Sequence, residues 1–348
     1  MKNSKLIYGI QQVGIGVTDA EEAFRWYAQV LGADLLIFDD RKTATHMARY
    51  MGGEAHQKRA LLAMNGNGGS GYEIWQYQDR TPAAPMEDIH LGDTGVNYIS
   101  IKSHNLKEAR TRLEQAGVEC LEWSSVTDTE QEAFFFHDPY GNLIQLLPSD
   151  DWFSRKYGAF GGICGVGIGV SDIEKSKRLY ADILGYNTVV HDEVVPAPDH
   201  AGKLRQVRLA RATPATGGFS PLLGSSTLTL LQALDREPRK VFADRYWGDL
   251  GYIHVCFDTK HIGALMDECE EKGYPFQVKS EETFEMGDTN GRWGYLEDDD
   301  GTLIEFVEAQ RVPLVKKLNL SIDMRKRDPH QPLPNWLLKA LRLKRKRF

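Results

Sequence analysis

The stretch "QQVGIGVTD" (Gln11–Asp19) returns later in the chain as "CGVGIGVSD" (Cys164–Asp172). The apolar centre is kept, and the polar lead changes: Gly165 stands where Gln12 stood. Each copy runs on into a second matching stretch, "DAEEAFRWYAQVLG" from Asp19 and "DIEKSKRLYADILG" from Asp172. An Asp at this point suits a helix N-cap, because its carboxylate accepts the unpaired amide hydrogens of the first turn. Gly32 and Gly185 suit the left-handed position that closes a helix. Phe24, Tyr27, Val30 and Leu31 fall at helical spacing, so the segment presents one apolar stripe. The repeat therefore reads as strand, capped helix, stop.

The likeness continues downstream. "GVNYISIKS" (Gly95–Ser103) matches "GYIHVCFDT" (Gly251–Thr259), and "HDPYGNLIQLLP" matches "EDDDGTLIEFVE". The latter pair are short strands around an Asp/Gly turn. Each long copy holds two shorter units of the order strand, helix, strand, strand, strand. These βαβββ modules are expected at 7–80, 94–148, 162–236 and 250–309. They make an N-terminal domain over 1–150, a C-terminal domain over 160–310 and a basic extension over 311–348. "DRTPAAPMEDIHLGD" and "DREPRKVFADRYWGD" are polar, Pro-containing connectors. Four such modules predict an α+β protein, with helices covering one face of strongly curved sheets.

Bulk properties narrow the function classes. The chain has 348 residues, 41% hydrophobic and 26% charged, ordinary values for a globular protein. Its net charge of −7 conceals twelve Lys and Arg against two Asp from Arg311 onward, which leaves −17 on the body. So acidic a body argues against a nucleic-acid partner. No apolar run reaches the roughly 18–20 residues of a membrane span. The four cysteines lack metal or disulfide spacing and suit a reduced, cytoplasmic setting. A small-molecule substrate and a monomer or homodimer are expected.

With the module order and the "DPxGNxI" endings in view, residues 7–309 resemble the vicinal oxygen chelate superfamily. That family includes glyoxalase I, methylmalonyl-CoA epimerase, extradiol dioxygenases and the bleomycin and fosfomycin resistance proteins. The resemblance implies that the modules pair into two cupped eight-stranded sheets, with a divalent metal in a cup, held by the first and last strands of each module. The positions it implies are Gln12 and Glu73, Tyr98 and Gln145, Gly165 and Thr229, and His254 and Glu305. Two pairings are open. If neighbouring modules pair, neither cup holds a full ligand set. If module one faces module four, Gln12, Glu73, His254 and Glu305 share one cup, and Tyr98, Gln145, Gly165 and Thr229 share a second, degenerate one. The first set is similar in pattern to two-domain glyoxalase I. One imidazole, two carboxylates and an amide suit Zn, Ni, Fe, Mn or Co with open positions for substrate. By resemblance Glu305 is the catalytic base, with Glu73 second, in lyase or isomerase chemistry that moves a proton on a vicinal-oxygen substrate held at the metal. The alternatives are a metal-free protein that sequesters a small molecule, and an extradiol-like dioxygenase using the second half alone. The latter needs His191 or His200 to replace a ligand absent at Gly165.

Other residues carry weaker signals. His46 and His56 flank a Gly pair in a long loop within reach of a site, and His137 and His191 suit a rim. Arg205 and Arg208 read as a solvated strand edge. "NGNGGSG" lacks the Lys-Ser/Thr of a phosphate loop. "LPNWLLKALRLKRKRF" reads as an amphipathic helix with Trp336, Leu337, Leu341 and Leu343 apolar. Packing over the acidic body is expected, with a disordered last few residues. Solvation and contact with an anionic membrane surface are the alternatives.

Overall fold

The computed structural model describes residues 4–121, 133–280, 284–286, 289–315 and 320–348. Module one supplies β1 (Leu6–Gly16), β2 (Leu35–Thr43), β3 (Gln57–Met64) and β4 (Gly71–Tyr77). Module two supplies β5 (Gly95–Ser103), β6 (Cys120–Leu121), β7 (Phe134–His137) and β8 (Leu143–Pro148). Module three supplies β9 (Phe160–Gly169), β10 (Thr188–Pro196), β11 (Lys203–Ala210) and β12 (Thr227–Ala233). Module four supplies β13 (Gly251–Lys260), β14 (Val278–Lys279), β15 (Phe284–Met286), β16 (Thr289–Glu297) and β17 (Leu303–Val315), and β18 (Leu320–Asp323) follows.

The modules pair across the halves. The first sheet runs β14-β16-β17-β13-β1-β4-β3-β2, with β15 and β18 added beside β16 and β17. The second runs β10-β11-β12-β9-β5-β8-β7-β6. Module one thus joins module four through an antiparallel β1–β13 pair, and module two joins module three through β5–β9. This order removes the reading in which the second half alone makes a dioxygenase cup: Gly165 and His191 belong to the second sheet and His254 to the first.

The helices form for the reasons visible in the sequence. Asp19 accepts the amides of Glu21 and Glu22 ahead of α1 (Ala20–Leu31), and Gly32 closes it at φ 72°. Asp172 caps the matching helix of module three through the amide of Lys175. Val13, Tyr27, Ile99, Ile168, Tyr180, Val255 and Phe306 belong to one continuous core drawn from all four modules. Separate clusters line the other faces, one around Trp75, Trp247 and Tyr295 and one around Tyr98, Phe135 and Leu204.

Two repeated motifs meet here. The Tyr27 hydroxyl donates to Asp138 at 2.5 Å, and the Tyr180 hydroxyl donates to Asp298 at 2.8 Å. The helix of one module is thereby tied to the Asp/Gly turn of the next. Burial pushes the Asp298 carboxyl up to about 6, against the lowering pull of Tyr180 and nearby amides. A carboxyl raised on folding holds its proton more tightly in the native state. Its contribution to stability is therefore full below about pH 4 and is lost as pH rises through about 6. Asp298→Asn should flatten this part of the pH dependence, read from urea melts at pH 4 and 6.5. Tyr180→Phe should cost about 1–3 kcal/mol by stranding a buried acceptor. Equal slopes in wild type and Asp298→Asn would remove this account.

The C-terminal segment crosses the first sheet. β18 pairs with β17, and Leu333, Leu338 and Leu341 pack with Leu35, Met64, Leu222 and Leu223. Lys344 donates to the Ile37 carbonyl at 2.7 Å, Arg345 pairs with Asp34, and Phe348 packs edge-on against Phe24 at 5.3 Å. The last residues, expected to be disordered, are thus engaged by side chains on module one. The apolar stripe also differs from the expected one. Leu338 is buried, whereas Trp336 and Leu343 are 69% and 84% exposed, because the helix is only Asn335–Ala340 before the backbone tightens into a 3-10 turn. Among the described residues no helix is long and apolar enough to cross a membrane.

Candidate metal centre

A bulge in β1 prepares the site. Ile10 faces Phe257, but Gln12, not Gln11, faces Cys256. The extra residue breaks the two-residue alternation and brings both Gln11 and Gln12 to the cavity face. The second sheet has the same irregularity where Gly165 faces Ser100 and Ile163 faces Ile101. Beyond the bulge Gly14 lies opposite His254, and in the second sheet Gly167 lies opposite Tyr98. A Cβ at Gly14 would stand 2.3 Å from the His254 ring, and one at Gly167 would stand 2.2 Å from the Tyr98 ring. The retained "VGIGV" is therefore explained by the large side chain each glycine must admit, whichever cup it serves.

In the first sheet, parallel pairing sets Glu73 of β4 beside Gly14, and Glu305 of β17 beside Cys256. The result is a convergence of ligand types. His254 Nε2 lies 3.1 Å from Glu73 Oε2 and 3.1 Å from Glu305 Oε2. The three donor atoms are close enough to share one ion. Gln12 and His254 are 0% exposed, Glu305 5% and Glu73 8%. The polar atoms are also unpartnered: both ends of the Gln12 amide, both His254 nitrogens, Glu73 Oε2 and Glu305 Oε2 lack a hydrogen bond of good geometry. Unsatisfied buried polar atoms are costly, and one atom each from Glu73, His254 and Glu305, all within 4.8 Å of one another, fit a cation with a mixed nitrogen and oxygen shell.

Electrostatics agree with the geometry. Burial pushes the His254 imidazole down, but Glu305 and Glu73 outweigh it and raise it to about 9. Burial pushes Glu73 up, yet His254, then Lys58 and the Gln12 amide, hold it below the usual carboxylate range. Two carboxylates in a dry site thus hold a proton on the imidazole, in the place a divalent ion would take.

The cavity at the site has a volume of about 130 Å3 and is walled by Trp75, Trp247, Trp293, Tyr295 and Phe38. Trp247 stacks on His254 at 6.1 Å and 18°. His46, a loop residue in the sequence reading, lines this cavity and meets Trp293 edge-on at 5.4 Å. His56 pairs instead with Asp79 at 3.3 Å, and Arg205 pairs with Asp192 and Glu174. Trp247 was not legible as a site residue, since it lies in a polar connector that only the cross-half pairing carries to His254. Trp75 had a signal: two residues beyond Glu73, it shares that residue's face of the strand.

The second cup takes another course. Gln145 accepts a hydrogen bond from Ser100 at 2.8 Å. Tyr98 packs with Phe135 and Leu204 in an apolar cluster, and Gly165 brings no side chain. The positions equivalent to the first cup's acids and imidazole are filled by neutral side chains.

A family profile described as Glyoxalase/Bleomycin resistance protein/Dioxygenase superfamily matches residues 9–146 and 162–306. Similar solved structures include glyoxalase I from Zea mays, 15% identical over 98% of this chain and 96% of that one with a TM-score of 0.53. A single-residue variant of that enzyme aligns at 17% identity over 88% and 94%, with a TM-score of 0.56. A candidate dioxygenase from Bacillus subtilis subsp. subtilis str. 168 aligns at 16% identity over 88% and 86%, with a TM-score of 0.58. At these identities the likeness is one of fold. No curated protein matches the chain at a significant level.

Proposed function

Because this chain belongs to the Glyoxalase/Bleomycin resistance protein/Dioxygenase superfamily, we propose that its first cup is a divalent-metal site and that the protein is a glyoxalase-like enzyme. The observation that carries the reading is the convergence of Glu73, His254 and Glu305, with the unpartnered Gln12 amide beside them. Those four residues would hold the ion, which would supply Lewis-acid polarisation of substrate oxygens. Glu305 takes a proton from the substrate carbon and returns it, with Glu73 as the second candidate. The buried indole N–H groups of Trp75 and Trp247, which lack partners, orient an oxygen-bearing substrate, and the aromatic walls exclude water. The substrate is a small molecule with vicinal oxygens, and the outcome is a lyase or isomerase reaction.

The test is metal analysis of the full chain purified without chelators. One tightly held ion per chain is expected, drawn from Zn, Ni, Fe, Mn or Co. Protein that neither retains nor takes up any of the five would sink the reading. Once a substrate is found, Glu305→Gln should lower turnover by about 10²–10⁴-fold with little change in fold, read by steady-state kinetics beside circular dichroism.

A further inference from the structure

Phe38 borders both the metal cavity and a second cavity, of about 140 Å3, that reaches Gln12. Strand geometry explains why the two are neighbours. Glu305, Val307 and Ala309 alternate along β17 onto one face, so the strand that carries Glu305 goes on to wall this second chamber. Leu62, another wall residue, is in register with both Glu73 and Phe38. The far side comes from outside modules one and four: Leu222 and Leu223 of module three and Leu341 of the C-terminal extension close it. The lining is largely apolar, and the size is telling. An apolar cavity of about 150 Å3 stays dry and accepts benzene.

We propose that this rear chamber takes the apolar portion of the substrate, a phenyl-sized or branched aliphatic group, while the oxygen-bearing head lies at the metal cup, and that the C-terminal extension is a specificity element. The inference rests on the metal-site reading for the head group and on the chamber's own walls for the tail. Without Leu341 and its neighbours the chamber would lose one wall, and with it part of the desolvation that makes an apolar group bind.

Two hydroxamates that differ only in the apolar part provide the test on metal-loaded, full-length protein. Benzohydroxamate should bind about tenfold or more tightly than acetohydroxamate, as burial of a phenyl ring implies. Leu341→Trp and Ile37→Phe, on different elements and both filling the chamber, should remove most of that advantage and leave acetohydroxamate unchanged. Thermal melts of both variants check that they fold. No advantage for the phenyl compound, or an advantage unchanged in both filled variants, overturns the proposal. Failure of the metal reading looks different, with acetohydroxamate bound no better with metal than without. In that case fluorobenzene, followed by 19F NMR, reads the chamber alone. Saturable binding lost in the filled variants upholds an apolar site, and absence of binding overturns it.

Discussion

His254→Ala is expected to purify with less than about a tenth of the wild-type metal, because loss of a direct ligand exceeds the 10–100-fold that loss of an outer partner costs. The reason extends beyond the missing nitrogen. In the wild type, His254 stands 3.1 Å from each of two buried carboxylates. Without it Glu73 and Glu305 face each other, and like charges brought together in a dry site favour protonation. A protonated carboxyl is a poor ligand, so the substitution weakens three positions at once. Turnover should fall with metal content. Tyr98→Ala, at the equivalent position of the second cup, should leave both unchanged. Metal analysis and calorimetric titration of the three proteins decide the matter. Metal retained in His254→Ala, or lost in Tyr98→Ala, would place the ion elsewhere.

Gly16→Ala is expected to cost at least about 3 kcal/mol, beyond the usual range for an added methyl group in a packed site. A Cβ there would lie 1.9 Å from the Asp249 carbonyl oxygen and 2.9 Å from that of Gly248. Both neighbours are backbone, so no side chain can swing aside. The same loop is fastened by Arg80 to Asp249 at 2.7 Å and carries Trp247, whose ring stacks on His254. Displacing the loop should thus weaken metal binding as well as stability. Gly263→Ala gives the contrast. Its Cβ would meet only Arg292 at 3.7 Å, and it lies in the first turn of the Ile262–Glu271 helix, where Ala is preferred by up to about 1 kcal/mol. Denaturant unfolding should therefore separate the two glycines in sign. Similar stabilities for the two variants would show that the loop yields.

Different parts of this fold are written in the sequence with different clarity. The caps at Asp19 and Gly32 were legible because they depend on a few neighbouring atoms. The modules were legible because they recur. Gln12, Glu73, His254 and Glu305 could be named only by resemblance, and their meeting depended on which modules share a sheet. That choice lies in the β1–β13 pairing, between residues remote in sequence, and local pattern is silent about it. Trp247 escapes for the same reason. The bulge at Gln11 is hidden too, since strict alternation gives Gln12 the face of Gly14 but turns Gln11 to the other. The C-terminal helix was read with too long an apolar stripe because periodicity does not tell where a short helix stops.

The cross-half pairing also has a consequence for how the protein comes into being. Gln12 and Glu73 are made well before His254 and Glu305. Until β13 is made, β1 waits without its partner, its polar lead exposed and no full ligand set to offer. Contacts between such distant segments slow folding, and an unpaired strand edge is open to wrong partners meanwhile. The extension that follows β17 emerges after all four modules, and it packs on module one. On the metal-site reading, capture of an ion should therefore await module four, and a product that stops before β13 should be unable to hold one.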